Sequence, residues 1–144
     1  MIQELVQTRL IKATICTETK VISVTTLDEK DATFDNLKES LGFLSSILAA
    51  YMKNKVRVTW CWDLTSLSSK CVTKEMLAYI RLFFHELRVI LRDTIIASTL
   101  VFSSKELSNI INTIIELIPR LRPCRTFNTV DDAVVWLKDV PLNG

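Results

Sequence analysis

Between Val56 and Thr65 the chain reads VRVTWCWDLT, with Val56, Val58, Trp60 and Trp62 alternating against Arg57, Thr59 and Cys61. A repeat of two is that of a strand, and this run is predicted to lie centrally in a sheet. Upstream, Leu37, Leu41, Leu44, Leu48 and Tyr51 recur at steps of four, three, four and three. They mark one face of a helix that Thr33 or Asp35 caps and Lys53-Asn54-Lys55 stops. Downstream, a polar loop from Thr65 to Lys70 leads to Thr73, which can cap a long helix carrying Met76, Leu77, Ile80, Phe83, Phe84, Leu87 and Leu91 on one side and ending at Asp93.

The flanks extend the same pattern. Leu10 to Cys16 and Val21 to Thr26 read as two strands around the polar break Thr17-Glu18-Thr19-Lys20, most simply a hairpin. Thr94 to Phe102 is a near-continuous apolar run, as in a strand covered on both faces. Ser103-Ser104-Lys105-Glu106 is a capping box for a helix through Leu107, Ile110, Ile114 and Ile118. Pro119 and Pro123 bracket a basic loop, Cys124 to Phe127 is a short strand, and Thr129-Val130-Asp131-Asp132 caps a last helix ending near Lys138. The predicted order is β-β-α-β-α-β-α-β-α: an α/β fold with one mixed, mostly parallel sheet and an opening antiparallel hairpin. In such sheets ligands and partners meet the loops after the strand carboxyl ends, here Asp63 to Val72, Ser103-Ser104 and Asn128-Thr129.

Composition narrows the function classes. The 144 residues, 49% hydrophobic and 24% charged, suit one ordinary globular domain spanning 1–144. With two glycines, Gly42 and Gly144, and all three prolines after residue 118, there is neither a linker nor a repeat. Eighteen basic against sixteen acidic residues give a net charge of +2, too little for a general field toward nucleic acid or anionic lipid. Cys16, Cys61, Cys71 and Cys124 form no C-x-x-C pair, and no signal peptide follows Met1, so free thiols and a cytoplasmic location are expected. The apolar runs Thr94 to Phe102 and Ile110 to Ile118 are far shorter than the roughly 20 residues of a membrane span.

Three stretches resemble the STAS domain, the fold of the anti-sigma-factor antagonists. VRVTWCWDLT is similar to that family's apolar strand ending in Asp-Leu-Ser or Asp-Leu-Thr, and Thr94 to Ser104 resembles the next strand and its turn. RPCRTFNTVDDAVVWL, from Arg122 to Leu137, resembles the family's closing strand and helix, and the order of elements matches over nearly the whole chain. In the antagonists a serine at a helix N-terminus after the Asp-Leu strand is phosphorylated to switch partner binding. The corresponding positions here are Cys71, Val72, Thr73 and Lys74, so only the Thr73 hydroxyl remains of that motif, with Ser68 or Ser69 as substitutes in another register. A phosphate there would meet the helix dipole and the charges of Lys70 and Lys74; loop and cap hydroxyls satisfying the backbone are the plainer account.

Other chemistries find less support. His85, the only histidine, would have to serve any nucleophile as base, yet it lies mid-helix. Arg81, His85, Arg88 and Arg92 instead form a stripe that is either a solvated helix face or a surface for an anion or acidic partner. The glycine count leaves no G-x-S-x-G, P-loop or G-x-G-x-x-G turn, and scattered cysteines make no metal set, so no cofactor or metal is expected. Acidic pairs such as Asp131-Asp132 and the group Asp28, Glu29 and Asp31 belong to helix starts and hairpin exits. Arg120, Arg122 and Arg125 near Phe127 lack any nucleic-acid-binding pattern around them, so nucleic acid is not an expected partner.

Trp60 and Trp62 share a strand face, with Trp62 near the carboxyl end, where it is either core or an aromatic wall for a small apolar ligand. The resemblance implies a non-enzymatic regulatory or scaffolding domain that contacts another protein through Asp63, Thr65, Ser68, Ser69, Lys70, Thr73, Lys74 and the adjoining helix face. The alternative is a carrier of a small apolar ligand, since related STAS-like folds hold apolar molecules between sheet and helices. An enzyme with an unrecognised site is a third reading. Phe43, Ile47 and Ala50, outside the main stripe of their helix, suit a homodimer contact.

Overall fold

The computed structural model describes residues 1–117 and 123–141, with side chains at all of these except 111, 113–115 and 117. In chain order the elements are β1 (Ile2–Gln7), β2 (Ile11–Cys16), β3 (Val21–Thr26), α1 (Phe34–Lys53), β4 (Val58–Asp63), α2 (Lys74–Glu86), α3 (Arg88–Thr94), β5 (Ile95–Val101), α4 (Lys105–Leu117), β6 (Cys124–Phe127) and α5 (Val130–Lys138). Short 3-10 turns occupy Glu29–Asp31 and Ser69–Cys71. Among the described residues the strands form one six-stranded sheet in the order β1-β2-β3-β4-β5-β6. β1, β2 and β3 are antiparallel, and β3 to β6 are parallel. This is the α/β class with an opening antiparallel hairpin that the sequence predicts.

Hydroxyl caps set the helix starts. Thr33, Thr73 and Thr129 accept from the backbone N–H groups of Asn36, Met76 and Asp132, each at 3.2 Å. Ser104 Oγ accepts from Leu107 N at 3.3 Å, while the Glu106 carboxylate turns to Ser69 Oγ at 2.9 Å instead of closing the expected box.

Two elements differ from the sequence reading. β1 precedes the expected hairpin and pairs with β2 across a bulge between Glu4 and Val6. As a largely exposed edge strand it carries little of the apolar signal that marks a buried one. The long helix predicted from Thr73 to Asp93 breaks at Leu87 into α2 and α3. Arg88 Nη1 donates to the His85 carbonyl at 2.8 Å, occupying a backbone acceptor at the break. Leu91 of α3 is buried, and α3 runs straight into β5 without a loop.

Topology then decides where the core lies. Parallel strands added in one direction, joined by right-handed crossovers, place every crossover helix on the same side of the sheet. Accordingly α1, α2 and α3 pack over Ile22, Val24, Val58 and Trp60, and α4 contacts α2 on that side. Among the described residues only α5 covers the other face, where Ala133 and Leu137 meet Val21, Cys61, Ala97 and Val101. β4 is therefore covered on both sides, its alternate residues feeding different cores. Among the described residues no helix is long and apolar enough to cross a membrane.

Candidate ligand cavity

The space between the sheet and its crossover helices is not filled. A cavity of about 180 Å³ lies there, floored by Ile11, Trp60, Trp62, Ile95, Ser98, Leu100 and Cys124 of the sheet. Its roof is Leu37, Leu41 and Leu44 of α1, Ile80 and Phe84 of α2, Leu91 of α3, and Leu107 and Ile110 of α4. Leu64, Leu67 and Val72, from the loop after β4, close the end at the strand carboxyl termini.

The cause is legible in one row across the sheet. Ile22 on β3 stands opposite Trp60 on β4, Trp60 opposite Ser98 on β5, and Ser98 opposite Cys124 on β6. Two large side chains are thus followed by two small ones, and the roof does not sink far enough to compensate. Trp60 is held in place by its indole N–H, which donates to Ser98 Oγ at 2.6 Å, and by edge-to-face contact with Trp62 at 5.2 Å between centroids. Burial holds the Cys124 thiol above its ordinary pKa, so it faces this apolar space neutral.

The loop expected to contact a partner is the wall of this cavity. Asp63 folds back on Thr65, accepting from its N–H at 3.0 Å and from its hydroxyl at 2.6 Å. Ser66 Oγ lies 2.6 Å from Thr26 Oγ1 and donates to the Thr26 carbonyl at 3.0 Å. Ser68 donates to the Glu29 carboxylate, Ser69 to Glu106, and the Cys71 thiol to the Ser68 carbonyl at 3.0 Å. Polar residues pin the loop to three neighbouring segments while Leu64, Leu67 and Val72 turn inward. A phosphoryl group on Ser68 or Ser69 would break one of these bonds and face a carboxylate. Thr73 caps α2, and Lys70 and Lys74 are exposed beside it.

The other sequence candidates stand apart from the cavity. Arg81 and His85 are exposed on α2, and Arg88 and Arg92 lie on α3, where Arg92 Nε meets Asp93 at 3.1 Å. Arg125 lies over Phe127 at 5.3 Å and Trp136 at 6.0 Å, on the α5 side of the sheet; Arg120, Arg122, Pro119 and Ile118 and the side chain of Ile114 are outside the described residues. Phe43 is 48% exposed on α1, with Ile47 half-buried and Ala50 exposed along the same helix. All four cysteines are free.

Of the cavity residues, Trp62 is visible in the sequence by its place on the strand. Ser98 and Cys124 are not, because their significance lies in a register between strands 26 residues apart. Leu64 and Leu67 do leave a trace, as the only large apolar residues of an otherwise polar loop between Asp63 and Lys70. Comparison with protein-family models, with curated proteins and with solved structures returns no match, so the geometry of the cavity is the basis for function.

Proposed function

We propose that this domain is a non-enzymatic carrier of a small apolar molecule, held in the cavity between sheet and crossover helices. The carrying observation is the row Trp60, Ser98, Cys124, beside which about 180 Å³ stays open between the sheet and the crossover helices. Larger side chains at the two small positions of the row, Ser98 and Cys124, would fill this space. An apolar cavity of about 150 Å³ stays dry and takes up benzene, so this one suits a ring with a short substituent. The related STAS-like folds that hold apolar molecules between sheet and helices support the reading, and the free thiols suit a cytoplasmic location. Native mass spectrometry of protein from its own source should show a retained small molecule. A bare polypeptide that also fails to take up ethylbenzene would contradict the proposal.

A second reading, a regulatory interaction domain that self-associates, is favoured by the exposure of Phe43, at 48%, on α1. Phe43→Glu should then convert a dimer to a monomer in light scattering, and a monomeric wild type removes this reading.

A further inference from the structure

The chemistry of the cavity wall goes beyond apolar character and selects the class of ligand. An indole nitrogen only donates, so in the bond between Trp60 Nε1 and Ser98 Oγ the serine accepts and keeps its own proton. Among the described residues that proton has no acceptor, and Ser98 lines the cavity. A second hydroxyl stands in the same position. Thr8 Oγ1 accepts from the N–H groups of Leu10 at 3.2 Å and Ile11 at 3.0 Å, which uses both of its lone pairs. Its proton therefore goes to Ser40 Oγ, 2.8 Å away, leaving the proton of Ser40, a cavity residue only 1% exposed, without an acceptor among the described residues. Charge is missing from the wall: no Lys, Arg, His, Asp or Glu lines the cavity among the described residues. Against the described wall a carboxylate would leave water without a counter-ion, which is unfavourable.

Resting on the reading of the cavity as a ligand site, we infer that its occupant is an uncharged, ring-sized molecule carrying a carbonyl oxygen that accepts from Ser98. An acid of the same size finds no cation among the described lining residues, and a pure hydrocarbon leaves the hydroxyl protons unused.

Three probes of similar size separate these possibilities: acetophenone, ethylbenzene and benzoate, titrated into the full chain and into Ser98→Ala with tryptophan fluorescence as the readout. Ser98→Ala should weaken acetophenone roughly two- to tenfold, the effect of one lost hydrogen bond, and leave ethylbenzene within about twofold of wild type. Ethylbenzene binding by the variant also reports that it is folded. Equal weakening of both neutral probes, or of neither, overturns the inference while the cavity stands as a ligand site. Benzoate binding to wild type as tightly as acetophenone overturns it without any variant. Failure of both neutral probes to bind wild type overturns the carrier reading itself, and this inference with it.

Discussion

Lys55 holds φ at 57°, the left-handed region that favours glycine. It does so as the terminator of α1, whose end is a Schellman turn: Lys55 N donates to the Met52 carbonyl at 3.1 Å and Val56 N to the Tyr51 carbonyl at 2.8 Å. Val56 and Tyr51 pack on the same core, the apolar contact that usually accompanies this turn. Lys55→Gly should therefore stabilise the domain by about 0.5–1 kcal/mol, read as a higher denaturant midpoint with an unchanged slope. A lower midpoint would mean the lysine side chain contributes more than the strain costs. The stop at Lys53-Asn54-Lys55 is visible in the sequence, but its geometry is not, since no glycine signals it. The helix caps Thr33, Thr73 and Thr129 are legible for the opposite reason: a hydroxyl before an apolar-periodic run has one common use.

Among the elements, β4 and α1 could be read directly because their apolar periods of two and near 3.6 reflect faces that are in fact buried. β1 and the break between α2 and α3 could not. The first is an edge strand whose pairing comes from its neighbour, and the second carries no glycine or proline to mark it in the sequence. β6 carries the element-scale test of the cavity, because Cys124 ends the row that begins at Ile22 and Trp60. Cys124→Leu should fill part of the space, stabilise the fold by about 0.5–2 kcal/mol and abolish ethylbenzene uptake. Destabilisation by the larger residue, with uptake intact, would show that the free space is not over Cys124. The thiols also differ in reactivity. Hydrogen bonds from Thr19 lower the Cys16 pKa, whereas burial raises those of Cys61 and Cys124. Alkylation at neutral pH should reach Cys16 first, with Cys61 and Cys124 last, as read by peptide mass mapping over time.

For the molecule as a whole, the strand order explains the division of labour between the two faces. Without a reversal of order there is no crevice between outward-turning loops of the kind used at a topological switch point, and the free space lies under the crossover helices instead. The sequence reading placed ligands at the loops after the strands, and Leu64, Leu67 and Val72 of the first such loop do border the cavity. Apart from Trp60 and Trp62, the floor and roof escaped it because they are assembled from residues distant in the chain. Raised thiol pKa values also carry a global consequence. The folded protein holds the protons of Cys61, Cys71 and Cys124 more tightly than an unfolded chain with ordinary values near 9.0. Their contribution is complete below about 9 and is lost as pH rises through the higher folded values. Denaturant melts from about pH 8 to about pH 10 should show falling stability, and a flatter fall in Cys61→Ala.

The three tryptophans offer the most direct test of the cavity as a ligand site. Trp60 and Trp62 line it, and Trp136 lies on the far side of the sheet against Phe127. In an NMR titration with ethylbenzene, the indole N–H resonances of Trp60 and Trp62 should move saturably while that of Trp136 stays in place. Three unmoved resonances, or a Trp136 shift as large as the other two, would contradict the account.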